Sequence, residues 1–219
     1  MNFDAERDRM VEQIASKNVK DKKILEAFRK VPRHLFLPEN MRPRSYEDKP
    51  FPIGADQTIS QPSLVAQMIE QLSLPSHARV LEVGTGSGYE TALLAELVSE
   101  VYSVERIASL AESARRLLND QGYKNIEVRV GDGTNGWPEK APFDGILVAA
   151  SAPMLPEPLL NQLIEGGRLI IPIGSVASQT LTMVIRKEGR FTAHDLCKCL
   201  FVPLIGKHAW LEEPSPDLT

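Results

Sequence analysis

Cysteine is scarce in this chain of 219 residues: there are two, Cys197 and Cys199, separated by one position. On a strand both would point to one face, too close along one chain for a relaxed disulfide. Partner cysteines for a zinc site are missing, so they read as two reduced thiols. No run of ~18 apolar residues exists for a membrane helix. The opening MNFDAERDRM is charged throughout and lacks the apolar segment of a secretory signal. Neither sign of charge dominates, with 25 Lys and Arg against 29 Asp and Glu, a formal net charge of −4. That balance lacks the basic excess of a general nucleic-acid binder, whose affinity comes largely from neutralising phosphates. An apolar content of 42% with so small a net charge excludes intrinsic disorder. The expectation is a cytoplasmic globular protein, able to bury about 70% of its unfolded surface, with no nucleic-acid or membrane partner.

Catalytic sets are also few. No metal-ligand cluster, His-Asp-Ser set or carboxylate dyad stands out, and His34, His77, His194 and His208 are scattered. No internal repeat or low-complexity tract divides the chain, so residues 1–219 read as one domain. Its parts are an N-terminal helical extension on the substrate side (1–75), a cofactor-binding core (76–190) and a C-terminal strand and tail (191–219).

In the N-terminal part, Met10 and Ile14, then Ile24, Leu25, Phe28 and Val31, recur at helical spacing, with Asp21 as a cap and Pro32 near the end. Between Pro32 and Pro62, five prolines or glycines (Pro38, Pro43, Pro50, Pro52, Gly54) exclude a regular helix. A long irregular stretch inside a compact domain is usually functional, which flags residues 50–62. Charge is uneven: residues 1–50 hold 12 basic and 9 acidic side chains, net +3, and the remainder 13 and 20, net −7.

From Arg79 the pattern alternates. Strands are expected at Arg79-Val-Leu-Glu-Val83, Val101-Tyr-Ser-Val104, Ile126 to Val130, Gly145 to Ala149 and Arg168 to Pro172. A strand pair is expected from Leu181 to Arg186 and around Phe201-Val-Pro203. Helices fall at Ala92 to Leu97, Ala108 to Gln121 and Pro158 to Ile164. Apolar strands alternating with helices define an α/β fold, a Rossmann-like doubly wound and mostly parallel sheet. Ligands of such folds bind beyond the carboxyl ends of the strands. The loops at 84–88, 105–106, 131–133 and 149–153 should therefore line one site.

Gly84, Thr85, Gly86, Ser87 and Gly88 follow the first of these strands and open a helix. The glycines let the backbone approach a bound group closely, although a glycine-rich turn can also be plain punctuation. Glu105, 17 residues beyond Gly88, is placed to accept hydrogen bonds from both hydroxyls of a ribose. Asp132, between Gly131 and Gly133, could accept from an exocyclic amine, which suggests adenine. The loop reads E-x-G-x-G-x-G from Glu82, not the G-x-G-x-x-G of dinucleotide sites, and no Lys-Ser or Lys-Thr follows. A carboxylate ahead of the glycines favours a ligand with a cationic part. S-adenosylmethionine, with a sulfonium and an ammonium, fits better than NAD.

Several segments together resemble protein-L-isoaspartate O-methyltransferases. They are Val31-Pro-Arg33 with Phe36, Pro52-Ile-Gly54, Gln57-Thr-Ile-Ser-Gln-Pro62, Val80 to Tyr89 around the glycine loop, Ser103-Val-Glu-Arg106 and Gly131-Asp-Gly133. Further along come Gly136-Trp-Pro138, Ala141-Pro-Phe-Asp144, Gly166-Gly167, Pro172-Ile-Gly174 and Phe201-Val-Pro-Leu204. The resemblance implies methyl transfer from S-adenosylmethionine, leaving S-adenosylhomocysteine, to the free α-carboxylate of isoaspartyl residues in damaged proteins. The ester then closes to a succinimide whose opening restores some aspartate. It further implies that Ser60 is catalytic, that Thr58, Ile59 and Ser60 contact substrate, and that Glu82, Gly84, Thr85, Gly86, Gly88, Glu105, Arg106, Asp132 and Gly133 hold the cofactor. No metal is implied, and a monomer is expected.

Read on its own, Ser60 could instead be an N-cap for the helix beginning near Pro62. A carboxylate nucleophile with a pKa of ~4 is ionised at neutral pH, so the reaction needs positioning more than a general base. Three positions depart from the family pattern: Ser63 where Tyr or His is usual, Glu90 for a frequent Gln, and Ala149-Ala150 where Thr is common. Alternative readings are a methyltransferase for another protein site or a small molecule, and a binding domain without catalysis.

Overall fold

The computed structural model describes residues 2–211. The end of the predicted C-terminal tail lies outside the described residues.

Two amphipathic helices come first. α1 (Phe3–Ser16) is capped by the Asn2 side chain, which accepts from the amide of Ala5, and buries Met10, Val11 and Ile14. α2 (Lys22–Lys30) is capped by Asp21, as expected, and buries Ile24, Ala27 and Phe28. The proline-rich stretch is not a structureless loop. It forms two 3-10 turns (Arg33–Phe36 and Glu39–Arg44) and a small hairpin of β1 (Phe51–Gly54) with β2 (Gln57–Ile59). Such short elements suit prolines, which supply fixed φ without a backbone donor. α3 (Pro62–Leu72) follows with proline in its first turn.

The core sheet has seven strands in the order β5-β4-β3-β6-β7-β8-β9. β3 (Arg79–Val83), β4 (Glu100–Glu105), β5 (Ile126–Val130), β6 (Phe143–Val148) and β7 (Leu163–Gly174) run parallel. β8 (Gln179–Lys187) is antiparallel to β7, and β9 (Arg190–Cys199) antiparallel to β8. α4 (Tyr89–Ala95) and α5 (Ala108–Asp120) connect the strands on one side of the switch point. Alternate residues of each central strand enter opposite cores. Val80, Leu147 and Ile170 pack with the N-terminal helices, while Leu81, Ile146, Leu169 and Ile171 pack with Trp137, Leu159 and Leu163. Both faces are covered, which explains the unbroken apolar runs in these strands.

Two expected elements need correction. The helix at 158–164 is only one turn, α6 (Glu157–Leu160), and Leu163 and Ile164 already belong to β7. The buried side chains of Leu159 and Leu163 join the same core cluster, so an apolar run suited to either period spans the junction. The partner of β8 is β9, not a strand around Phe201 to Pro203. β9 carries no apolar pattern because its side chains are mostly polar and exposed, as on the solvent-facing edge of a sheet. Residues 201–205 instead cross the carboxyl end of the sheet, where Pro203 makes one isolated bridge to Ser151.

Candidate active site

The strand order reverses between β3 and β6, and a cavity opens there beyond the strands' carboxyl ends. All four expected loops contribute to it: Gly84 to Ser87, Glu105 with Arg106, Gly133, and Ala149 with Ala150. The hairpin adds Thr58 and Ile59, Ser60 follows, and residues 202–205 close the far wall.

The glycine loop takes a conformation that side chains resist. Gly84, Gly86 and Gly88 have φ of +99°, +53° and +87°. Gly88 does not line the cavity; a Cβ there would meet Ala114 Cβ and Leu118 Cδ1 at 3.2 Å, so its role is to let α4 pack on α5.

Glu105 ends β4 with both oxygens directed at backbone donors. Oε2 accepts from the amide of Gly86 and Oε1 from that of Ile107, both at 2.9 Å. The carboxylate thus braces the glycine loop while lining the cavity, and each oxygen keeps a second lone pair for a ligand hydroxyl. Asp132 is used otherwise. Its Oδ1 accepts from the Thr134 amide and hydroxyl, its Oδ2 from the amide of Lys207, and it is Gly133 that lines the cavity. Those bonds hold its carboxyl below the usual range despite the opposing effect of burial.

Glu82 does not reach the cavity wall. It is completely buried beneath the glycine loop, where Oε2 accepts from the hydroxyls of Thr91 at 2.6 Å and Ser103 at 2.5 Å. Burial pushes its carboxyl up to about 8, and neighbouring Glu105 adds to the rise. The second carboxyl at the wall, with Glu105, is Glu90, in the first turn of α4, 8% exposed and with Oε1 unpartnered among the described residues.

Ser60 is not the helix cap. Gln61 occupies that position without a side-chain bond, and Pro62 begins α3. The carbonyl of Ser60 accepts from Arg33 at 2.9 Å. Ser60 and Thr58 border both the nucleoside cavity and a second groove that runs between α3 and the end of β9, past Ser63, Leu64 and Cys199. Ser63 is buried and turned toward Asp48, whose Oδ1 accepts from its amide and Oδ2 from its hydroxyl, both at 2.8 Å. Gln61 and Lys17 donate to the same carboxylate. The departure at Ser63 is therefore built into the loop's anchorage.

Arg33 is the residue whose place was not readable from sequence. It is fully buried, and nothing in a Val-Pro-Arg string distinguishes it from an exposed cation.

A parallel sheet with a cradling glycine loop, a carboxylate at the end of the second strand and a buried unpartnered carboxyl at the wall suits a nucleoside carrying a cationic tail. Fold and cavity define an S-adenosylmethionine-dependent methyltransferase. The model of the protein-L-isoaspartate(D-aspartate) O-methyltransferase family matches residues 5–209, and the chain belongs to that family. It is 51% identical over 212 residues to protein-L-isoaspartate O-methyltransferase of Methanoculleus marisnigri, covering 96% of each chain. It is likewise 51% identical over 211 residues to protein-L-isoaspartate O-methyltransferase 1 of Syntrophobacter fumaroxidans, covering 96% of this chain and 99% of the relative. Among solved structures, one protein-L-isoaspartate O-methyltransferase superposes with a TM-score of 0.84 at 31% identity, over 93% of this chain and 67% of that one. A Plasmodium falciparum protein described as such an enzyme in complex with S-adenosyl-L-homocysteine superposes with 0.81 at 27% identity, over 91% and 98%.

Proposed function

We infer that this enzyme transfers a methyl group from S-adenosylmethionine to the free α-carboxylate of L-isoaspartyl residues in proteins and peptides, the step that opens repair through a succinimide. The observation that carries the reading is the position of Ser60 and Thr58 where the nucleoside cavity meets the groove beside α3. A protein segment in the groove and a methyl donor in the cavity would meet there.

When bound, S-adenosylmethionine supplies an electrophilic methyl group on a sulfonium sulfur. Glu105 would accept from ribose hydroxyls, Gly84, Thr85 and Gly86 would hold the tail, and Arg106 and Gly133 would hold the adenine, with Asp132 acting through the turn that it fixes. Glu82 supports the floor from below, and Gly88 sets the helix behind it. Ser60 donates a hydrogen bond to the isoaspartyl carboxylate and orients one oxygen, while Thr58 and Ile59 border that end. The carboxylate is already ionised, so no residue has to remove a proton, and apolar Ile59 and Val65 exclude water from the approach. Among the described residues no group of three or more His, Cys, Asp or Glu could hold a metal ion.

In this reading residues 1–75 shape the substrate side, 76–190 hold the cofactor, and 191–219 complete the groove. The enzyme acts as a cytoplasmic monomer without nucleic-acid or membrane partners. The free thiols of Cys197 and Cys199 suit a reducing compartment, and among the described residues no helix is long and apolar enough to cross a membrane.

The test is methyl transfer from labelled S-adenosylmethionine to a pair of peptides differing only in isoaspartyl or aspartyl at one position. Labelling of the isoaspartyl peptide alone is expected. Equal labelling of both would reject the specificity.

A further inference from the structure

Glu82 and Glu90 form a pair of buried carboxyls with different surroundings. Glu82 has two hydroxyl donors on Oε2, an Oε1 that like that of Glu90 has no partner among the described residues, and no access to the cavity. Glu90 has access, and its Oε1 finds no donor among the described residues. A buried carboxyl short of donors is costly to ionise, and of the two only Glu90 lies where a cationic ligand can offset that cost. The family pattern, with a frequent Gln at this position, does not carry the charge that this chain places there.

The groups around Glu90 come from every side of the cavity. Glu82 lies on β3, Tyr89 is beside Glu90 on α4, and Glu105 and Arg106 at the end of β4 line the same cavity with Thr58 and Ser60. Burial first, and then repulsion from Glu82, push the Glu90 carboxyl well above the ordinary range. Burial thus favours the protonated form of both carboxyls while the cavity lacks a cation. A cation arriving at the wall reverses the balance, because a nearby positive charge favours the ionised form. The negative charge then settles on Glu90, the member that a ligand can touch.

We propose that Glu90 is the anionic contact for the ammonium group of the methyl donor, and that it forms this contact by releasing its proton to solvent as the ligand enters. The proposal rests on the reading of the cavity as an S-adenosylmethionine site. The balance is simple: a neutral carboxyl and a free cation become a carboxylate–ammonium pair plus one proton in the buffer. Because the ammonium is common to S-adenosylmethionine and S-adenosylhomocysteine, both should release the proton. 5′-Deoxy-5′-methylthioadenosine, which has the nucleoside and sulfur but no amino-acid tail, should not.

The experiment is titration calorimetry of these three ligands at pH 7 in two buffers of different ionisation enthalpy, on the wild type, Glu90→Gln and Glu82→Gln. For the wild type, about one proton is expected to leave with S-adenosylmethionine and with S-adenosylhomocysteine. Glu90→Gln should abolish that release and weaken both ligands by about 10- to 100-fold, the range of a charge-assisted hydrogen bond. Methylthioadenosine should bind both proteins alike. Glu82→Gln should keep the proton release. Circular dichroism and thermal melts check that each variant is folded, and Gln preserves the shape of the side chain it replaces. Wild-type affinity and proton release in Glu90→Gln would overturn the proposal, as would loss of release in Glu82→Gln alone. If those results came with normal methylation of an isoaspartyl peptide, only this inference would fall. A wild type that neither binds the S-adenosyl ligands nor methylates that peptide would overturn the functional reading as well.

Discussion

The guanidinium of Arg33 donates to the main-chain carbonyl of Ser60 at 2.9 Å. The same side chain donates to the carbonyls of Ser45 at 2.8 Å and Lys49 at 3.3 Å, and it lies 4.9 Å above the ring of Tyr89. One buried cation thus ties together both ends of the hairpin that delivers Ser60. Burial lowers its pKa to about 10, which leaves it charged at neutral pH. Arg33 is a positioning residue in the functional reading above. Lysine cannot span three carbonyls with one ammonium in that geometry. Arg33→Lys is expected to cost about 2–4 kcal/mol of stability and to lower kcat more than donor affinity. Thermal denaturation and single-turnover methylation measured on the folded fraction separate the two effects. Unchanged turnover per folded molecule would reduce Arg33 to a purely structural role.

Ser60→Ala removes the hydroxyl and keeps the backbone that Arg33 grips. Since no side chain of α3 depends on that hydroxyl for its cap, stability should stay within about 0.5 kcal/mol, as for substitutions away from packed features. Turnover on an isoaspartyl peptide should fall by about 10- to 100-fold, the worth of a hydrogen bond to a charged group, with S-adenosylhomocysteine affinity retained. Wild-type turnover would remove Ser60 from the reaction.

Asp48 anchors the other side of the loop through Lys17, Gln61 and Ser63. Burial alone would raise its carboxyl, but the bonds from Lys17, Gln61 and Ser63 outweigh burial and lower it. A carboxyl lowered on folding stabilises the protein above its unfolded value of 3.8, and that stability is lost as the pH falls through the lower folded value. Asp48→Asn should therefore melt earlier than the wild type at pH 7, with the gap narrowing as the pH falls below 3.8. A gap independent of pH would assign the loss to packing instead of charge.

Gly88→Ala tests the junction behind the glycine loop. With φ at +87° and the added Cβ 3.2 Å from Ala114 and Leu118, strain and crowding should cost about 1–3 kcal/mol. Because the residue is behind the cavity, donor affinity should drop only as far as α4 shifts. Calorimetry and melting curves together report both quantities. A variant as stable as the wild type would show that α5 yields without cost.

The parts of the site built from local pattern were legible before the fold was known. Apolar strands alternating with helices predicted the sheet, and the loops after β3, β4, β5 and β6 do meet at one cavity. Three features were not. Glu82 and Glu90 both flank the glycine loop, but only the turn from β3 into α4 decides that the first is sealed below and the second reaches the wall. Residues 201–205 have a strand-like composition, yet Phe201 exchanges hydrogen bonds with the Gln179 side chain and Leu204 donates to Ser151, so they wall the cavity.

Arg33 shows the limit most clearly. A sequence determines backbone periodicity, turn chemistry and which residue types follow a strand, because these depend on neighbours along the chain. Whether an arginine is solvated or buried against three carbonyls depends on groups 12 to 27 positions away. The hydrogen bonds that offset its desolvation exist only after the hairpin, the 3-10 turns and α4 have closed around it.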